Sequence, residues 1–446
     1  MLRQLLAACA ARAALSFLPY ANPPWGASNY NMSESTISMA CNSSGPLNTT
    51  VFQSFGITSV DWSNQKAQWA AARPMDDQER LVTQAGELRA ANPRARVFSY
   101  FNLVKALPWM SSVRRVLADP AYAGFFLRFK PGGAFPNGSY HVPACDTTYD
   151  PPLCSEFYHD QEQSPAVPSP ANPSPDGACV GHCDCGGVPC GEYLFDWRNG
   201  SMLTDFIVNE ILLGPLGMGS GVISGYFLDD FWCANLVNGT GACTDPVQGP
   251  TEIDAHSQAD MGLTDADVAD ITRGWLAGFT AAQAALERAG GYTWSRIPGQ
   301  DNANAQPVMA GPDAASCTSL LRRACSPASP WRAAPLLFGM HMGADGQTPP
   351  FATADVAAFL LARGPWAWMG AGVWGMSWPT GLTWNASNTP VSRPPQLDAD
   401  YGEPVGGAPC AETAPGSGIF TRQYTRASVR VDCANYAAAT ISPASG

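Results

Sequence analysis

The stretch that decides the fold is "SGYFLDDFWC", residues 224–233. It reads as a short apolar β-run that stops on two adjacent carboxylates, Asp229 and Asp230, just before the aromatic pair Phe231 and Trp232. Only 14% of the chain is charged, so two acids together at the end of a buried strand ask for a reason. Side chains alternate along a strand, and both acids can face one cavity only if the strand has ended there. The plain alternative is a strand-end turn or a helix N-cap, positions where Asp is common.

The flanking sequence places this strand in a repeating pattern. From Ile57 onward, short β-like runs alternate with longer helical ones, which predicts parallel strands joined by helices. The runs are "ITSVDWS" (57–63), a polar, Ala-rich helix near 75–91, "ARVFSYFNLV" (95–104), "EYLFDWRN" (192–199) and a helix around 201–213. After the acidic strand, "DADVADITRGWLAGFTAAQAALERAG" leads to "AQPVMAG" (305–311), "TSLLRRAC" leads to "APLLFGMHMG" (334–343), and "TADVAAFLLARG" leads to "AGVWGMSWP" (371–379). Seven or eight strand candidates, each followed by a helix or a loop, suit a (β/α)8 TIM-like barrel. No strand is followed by a G-x-G-x-x-G turn, which disfavours a dinucleotide-binding open sheet.

Two regions break the pattern. Residues 131–191 hold six cysteines and the proline-rich "SPAVPSPANPSPDGAC", and read as a disulfide-stapled loop insertion within a barrel spanning 21–395. Residues 396–446 close in "GIFTRQYTRASVRVDC" and "AAATI", a small C-terminal β appendage packed on the barrel and stapled by Cys410 and Cys433.

Composition narrows the function. A net charge of -12 and the lack of a Lys/Arg stripe argue against nucleic acid. Fourteen cysteines, together with sequons at Asn31, Asn42, Asn48, Asn137, Asn199, Asn238 and Asn385, favour the secretory route and an extracellular, or vacuolar and lysosomal, location. Residues 1–20 have a basic start and an apolar run interrupted by Arg12, and read as a signal peptide or a truncated gene start. No other uncharged apolar run is long enough to span a bilayer.

"CVGHCDCGGVPC" carries Cys179, Cys183, Cys185 and Cys190 with His182, yet it has neither paired C-x2-C knuckles nor H-E-x-x-H, and disulfides are the better reading. Short-range pairs Cys145 with Cys154, Cys233 with Cys243 and Cys317 with Cys325 fit that reading. No G-x-S-x-G elbow is present. The sequence names no metal and no cofactor, and leaves the oligomeric state open.

In a barrel the carboxyl ends of the strands form the active face. The polar and aromatic residues at those ends are Asp61 and Trp62, Tyr100 and Asn102, Asp196 and Arg198, Asp229 and Asp230 with Trp232, His341, and Trp374 with Trp378. Acids beside flat rings suit carbohydrate chemistry. One carboxyl group protonates the glycosidic oxygen while another stabilises or attacks the oxocarbenium-like centre, and aromatic faces take the C–H side of a sugar.

Asp229 is the first catalytic candidate, with Asp230 orienting it or raising its pKa by like-charge repulsion and Asp196 as second carboxylate. The competing reading of Asp196 is a structural ion pair with Arg198, and the sequon at Asn199 argues against a site beside it. Trp366 and Trp368 read as core. His341 reads as either a substrate contact or a hydrogen-bonded loop histidine.

Three stretches, "GYFLDDFW", "YLFDWRNGSMLTDFIVNEIL" and the closing "GIFTRQYTRASVRVD", resemble a group of poorly characterised glycoside-hydrolase-like proteins with a TIM-barrel fold. The resemblance runs over roughly residues 55–440. It implies a (β/α)8 fold and hydrolysis of glycosidic bonds, with Asp229 as the catalytic residue and Asp196 as the strand-end acid. The Cys-rich insertion departs from the simpler members.

Two functions fit: a secreted glycosidase, or a catalytically inactive extracellular barrel that binds carbohydrate. A carboxyl separation of about 5–5.5 Å marks retention and one of about 6.5–9.5 Å inversion, whereas Asp229 held in a salt bridge favours the binding protein.

Overall fold

The computed structural model describes residues 22–25, 30–40, 42, 45–130, 145–146, 153–160, 185–230, 232, 255–295, 308–343, 348–371 and 393–444. A parallel sheet lies at its centre. Strands β1 (Ile37–Ala40), β2 (Ile57–Val60), β3 (Arg96–Asn102), β4 (Gly225–Asp229) and β5 (Tyr292–Ser295) pair in that order. Strands β6 (Leu336–Met340) and β7 (Ala367–Ala371) form a second parallel pair.

A parallel bridge between Thr36 and Met369 joins β7 to the start of β1, and another between Val308 and Phe338 adds a segment beyond β6. The sheet thus curls through eight parallel positions, and between its ends, β5 and Val308, no pairing occurs among the described residues.

Every residue of β2, β4, β5 and β6 is buried, as expected of parallel strands covered on both faces. Parallel partners share a face. Tyr100 aligns with Phe227 and Asn102 with Asp229, so these four side chains point to one side. Trp294 of β5 meets Trp368 of β7 with ring centroids 5.6 Å apart, so aromatic side chains pack together between non-adjacent strands of the curl.

The flanking helices are α1 (Asp77–Ala91), α2 (Gly200–Phe206), α3 (Asp265–Arg288), α4 (Ala314–Cys325) and α5 (Ala352–Ala362). The start of α3 is fixed by a capping box in which Thr264 and Asp267 satisfy each other's backbone donors.

Several expectations are corrected. "EYLFDWRN" is not a member of the parallel sheet: Glu192–Leu194 pairs antiparallel with Lys105–Ala106 and with His159–Asp160. The reason lies just downstream. The Trp197 indole donates to the Leu103 carbonyl at 2.8 Å and packs on α3 at Gly274 and Gly278, where a Cβ on either would overlap Trp197 atoms. The segment is a staple between the end of β3 and α3.

β1 and β5, four residues each, escaped the sequence reading, while the described residues of "AQPVMAG" contribute the Val308 bridge. Strand β7 covers Ala367–Ala371, so Trp368 sits in the strand and is buried, though not on the helix side, while residues 372–379 of "AGVWGMSWP" lie outside the described residues.

The insertion contains short ladders rather than loop alone. Cys145 aligns with Cys154 across one of them, and a disulfide joins Cys185 to Cys190. Residues 164–179, Cys183, and the pair Cys233 and Cys243 lie outside the described residues.

Four antiparallel strands, Ala411–Glu412, Ile419–Gln423, Ala427–Asp432 and Thr440–Pro443, make up the C-terminal sheet. Cys410 and Cys433 tie it to α4 through Cys325 and Cys317, which corrects the expected pairing of Cys317 with Cys325. Arg422 seals the contact. Its Nη1 donates to the carbonyls of Leu360, Leu361 and Arg363 at 3.0, 3.2 and 2.7 Å, and the Tyr424 hydroxyl donates to Leu360. Those carbonyls have no partner within the helix at its C-terminus, so one buried guanidinium caps α5.

No helix among the described residues is long and apolar enough to cross a membrane. Asn42, one of the seven sequon residues, is buried and donates its amide to the Pro46 carbonyl.

Candidate active site

The acidic pair resolves as the alternation rule requires. β4 ends at Asp229, and Asp230 adopts a left-handed backbone, φ 57°, so the chain turns immediately after the strand. Each carboxylate then meets one of two side chains of β3 that are themselves hydrogen-bonded to each other, Asp230 meeting Asn102 and Asp229 meeting Tyr100.

Asn102 accepts at Oδ1 from the backbone N–H groups of Val104 and Lys105, at 2.8 and 2.7 Å. Its amide oxygen is thereby committed and its NH2 must face the other way, where it donates to Asp230 Oδ2 at 2.6 Å and to the Tyr100 hydroxyl at 3.0 Å. Tyr100 in turn donates to Asp229. Its own pKa is raised well above the usual phenol value by burial and by Asp229, Asp230 and Asp61, so it stays a donor.

Asp229 is 8% exposed. Burial, followed by the charge of Asp230, pushes its pKa up to about 7, against the pull of the Asp230 N–H and the Tyr100 hydroxyl. Among the described residues no cation pairs with it. A carboxyl group so placed holds its proton near neutrality, which is what a general acid needs.

Asp61 follows β2, whose register sets it beside Tyr100, and its Oδ1 accepts from the Ser63 N–H at 2.8 Å. The next residue, Trp62, is half-buried and caps a cluster with Trp109 and Trp69, at centroid distances of 5.1 and 6.3 Å. The Lys66 ammonium lies 5.5 Å over the Trp62 ring.

His341 follows β6 at this same carboxyl end of the sheet. Its Nδ1 lies 2.7 Å from Asp355 Oδ1, and its backbone N–H donates to Asp355 Oδ2 at 2.9 Å.

Other expected residues stand apart. Asp196 caps the short turn Trp197–Asn199 and accepts from the Arg198 backbone and guanidinium, the latter at 2.7–3.2 Å, while Arg198 also reaches Asp267. A cleft of about 620 Å³ adjoins this ion pair, lined also by Phe126, Phe129 and Met261, and shares no residue with the Asp229 cluster. At Asp229, by contrast, two carboxylates converge and neither is neutralised by an arginine among the described residues. Trp232 is buried and offers no open face. Trp374 and Trp378 lie outside the described residues.

The sequence reading missed three polar residues. Asp77 is wholly buried in the first turn of α1, with neither oxygen hydrogen-bonded and a pKa raised by burial and by Asp61. Asp355 and Tyr436 lie in a helix and a C-terminal turn, away from any strand end. Among the described residues no group of three His, Cys, Asp or Glu side chains is placed to hold a metal.

The chain matches no family model and no curated protein. Among solved structures it is similar to a family GH13_31 enzyme, at 10% identity and a TM-score of 0.29, over 60% of this chain and 48% of that one. It is also similar to trehalose-6-phosphate hydrolase of Bacillus licheniformis, at 8% identity and a TM-score of 0.34, over 74% and 63%. A third is the debranching enzyme of Nostoc punctiforme, at 10% and 0.35, over 92% and 91%. The chain spans about half the length of the first of these and under two thirds of the second. Likenesses this remote leave the chemistry to be argued from the residues themselves.

Proposed function

We propose that this protein is a glycoside hydrolase on a closed (β/α)8 barrel, with Asp229 as general acid. The observation that carries the reading is the environment of Asp229: a buried carboxyl group, unpaired with any cation among the described residues, whose pKa is raised to about 7 at the carboxyl end of a parallel strand. Protonated, it delivers its proton to the glycosidic oxygen; Asp230 keeps that proton in place by like-charge repulsion.

In this reading Asp61 takes the role of second carboxylate. It replaces Asp196, which is engaged by Arg198 through four hydrogen bonds. Trp62 supplies a flat face beside Asp61 and His341 binds a substrate hydroxyl, while Tyr100 and Asn102, whose polar atoms are engaged within the cluster, hold the two carboxylates in place. Trp374 and Trp378 remain proposed platforms. Three disulfides and the sequons support a secreted protein.

The test is hydrolysis of aryl glycosides and of plant and algal polysaccharides by the wild type, Asp229→Asn and Asp61→Asn, with circular dichroism confirming the fold. Turnover in the wild type and its loss in Asp229→Asn support the reading. Glycan binding without turnover, unchanged in both variants, replaces it with the binding-protein reading.

A further inference from the structure

The C-terminal segment reaches the catalytic end of the sheet through one side chain. Tyr436 sits in the short turn Cys433–Ala438, which the Cys317–Cys433 disulfide anchors to α4. Its hydroxyl lies 2.7 Å from Asp355 Oδ1. Asp355 stands in the first turn of α5 with none of its surface exposed, and it is the carboxylate that holds His341.

Counting donors fixes the proton on the imidazole. The His341 backbone N–H donates to Asp355, and the Tyr436 phenol, its pKa raised by burial and by Asp355, donates as well. The third contact, from His341 Nδ1 at 2.7 Å, completes an all-acceptor carboxylate only if Nδ1 carries the hydrogen. In the neutral ring Nε2 is then a bare acceptor. Phe351 and Tyr436 hold the ring edge-on, with centroids 6.0 and 6.2 Å away, and its side chain keeps 16% of its surface exposed. A histidine serving packing alone needs no buried carboxylate to fix its tautomer; one presenting a defined atom to a ligand does.

We infer that Asp355 and Tyr436 are positioning residues that hold His341 with Nε2 presented to a hydroxyl group of a polyhydroxylated substrate. The C-terminal sheet is on this account a part of the substrate site, and its staples to α4 and α5 keep that part in register. The inference rests on the carbohydrate reading given above.

Its test compares His341→Gln, Asp355→Asn and Tyr436→Phe, by kinetics on the substrate found for the wild type and by 15N imidazole NMR. His341→Gln should lower kcat/KM about three- to tenfold, and Tyr436→Phe about twofold, the loss of one direct and one indirect hydrogen bond. The wild-type His341 signals should report the Nδ1–H tautomer, and Asp355→Asn should abolish that preference. Should Asp355→Asn fail to fold, the wild-type Nδ1–H signal and the kinetics of His341→Gln decide the inference.

If Asp229→Asn is inactive while His341→Gln keeps full kcat/KM, this inference fails and the hydrolase reading stands. If the wild type hydrolyses nothing, the hydrolase reading fails, and titration with cello-, xylo- and malto-oligosaccharides decides the matter. A shifted His341 Nε2 signal retains the ligand contact; an unmoved one removes it.

Discussion

Replacing Asp229 by Asn removes a buried ionisable group while keeping an acceptor for Tyr100 and for the Asp230 N–H, so it isolates the cost of the charge. The folded-state pKa is about 7 and the ordinary value 3.8. Between those pH values the folded chain keeps a proton that the unfolded chain has lost, so stability falls as pH rises through the window. Below about pH 4 both states are protonated and the penalty is absent; above about pH 7 it is complete. A span of about three pH units, at ~1.4 kcal/mol each, sets a ceiling of about 4 kcal/mol.

Guanidinium unfolding followed by tryptophan fluorescence, under non-reducing conditions, measures this directly. Asn at position 229 should gain on the wild type by up to about 4 kcal/mol between about pH 4 and pH 8, with most of the change between about pH 5 and 7. An advantage that does not vary with pH, or that shrinks as pH rises, would refute the raised pKa and with it the general-acid argument.

Other expectations follow from single contacts. Tyr100→Phe takes away a hydrogen bond that lowers the Asp229 pKa, so the basic limb of kcat/KM against pH should move up by about one unit; a downward move contradicts the network. Gly278→Ala drives a methyl group into the Trp197 ring and should cost about 1–3 kcal/mol in denaturant unfolding, a cost that Trp197→Leu in the same background should relieve. Arg422→Met takes a donor from three carbonyls at the end of α5, leaving Leu360 its Tyr424 hydroxyl, and should cost about 2–4 kcal/mol, with hydrogen exchange rising first at the last turn of α5. Cys317–Cys433 and Cys325–Cys410, which span 116 and 85 residues, are each worth about 4–5 kcal/mol taken singly on the chain-entropy account, so reducing both should cost more than either alone and free the C-terminal sheet for proteolysis.

The sequence carried the fold where periodicity was long. The helix at 265–288 has a polar capping box and a continuous apolar stripe, and the hairpin at 419–432 alternates without interruption. "YFLDD" marked the candidate site because a charge pair ends an apolar run. Four-residue strands such as "ISMA" and "YTWS" carry no readable period, and their pairing is settled by neighbours far along the chain.

"YLFDW" misled for the opposite reason. Its apolar residues look like a buried strand, but they are buried by the indole staple on α3 and by antiparallel neighbours. Disulfide partners were illegible, since proximity in sequence favoured Cys317 with Cys325 and tertiary packing chose otherwise. Asp355 and Tyr436, 81 residues apart, meet only because the C-terminal sheet folds back on α5.

The most direct test of the central claim is the pH dependence of kcat/KM in the wild type and in Asp230→Asn. The account predicts a basic limb near pH 7 in the wild type, and a limb moved to lower pH when the neighbouring charge is removed, because the Asp230 carboxylate raises the pKa of Asp229. A basic limb that stays in place in Asp230→Asn would contradict it.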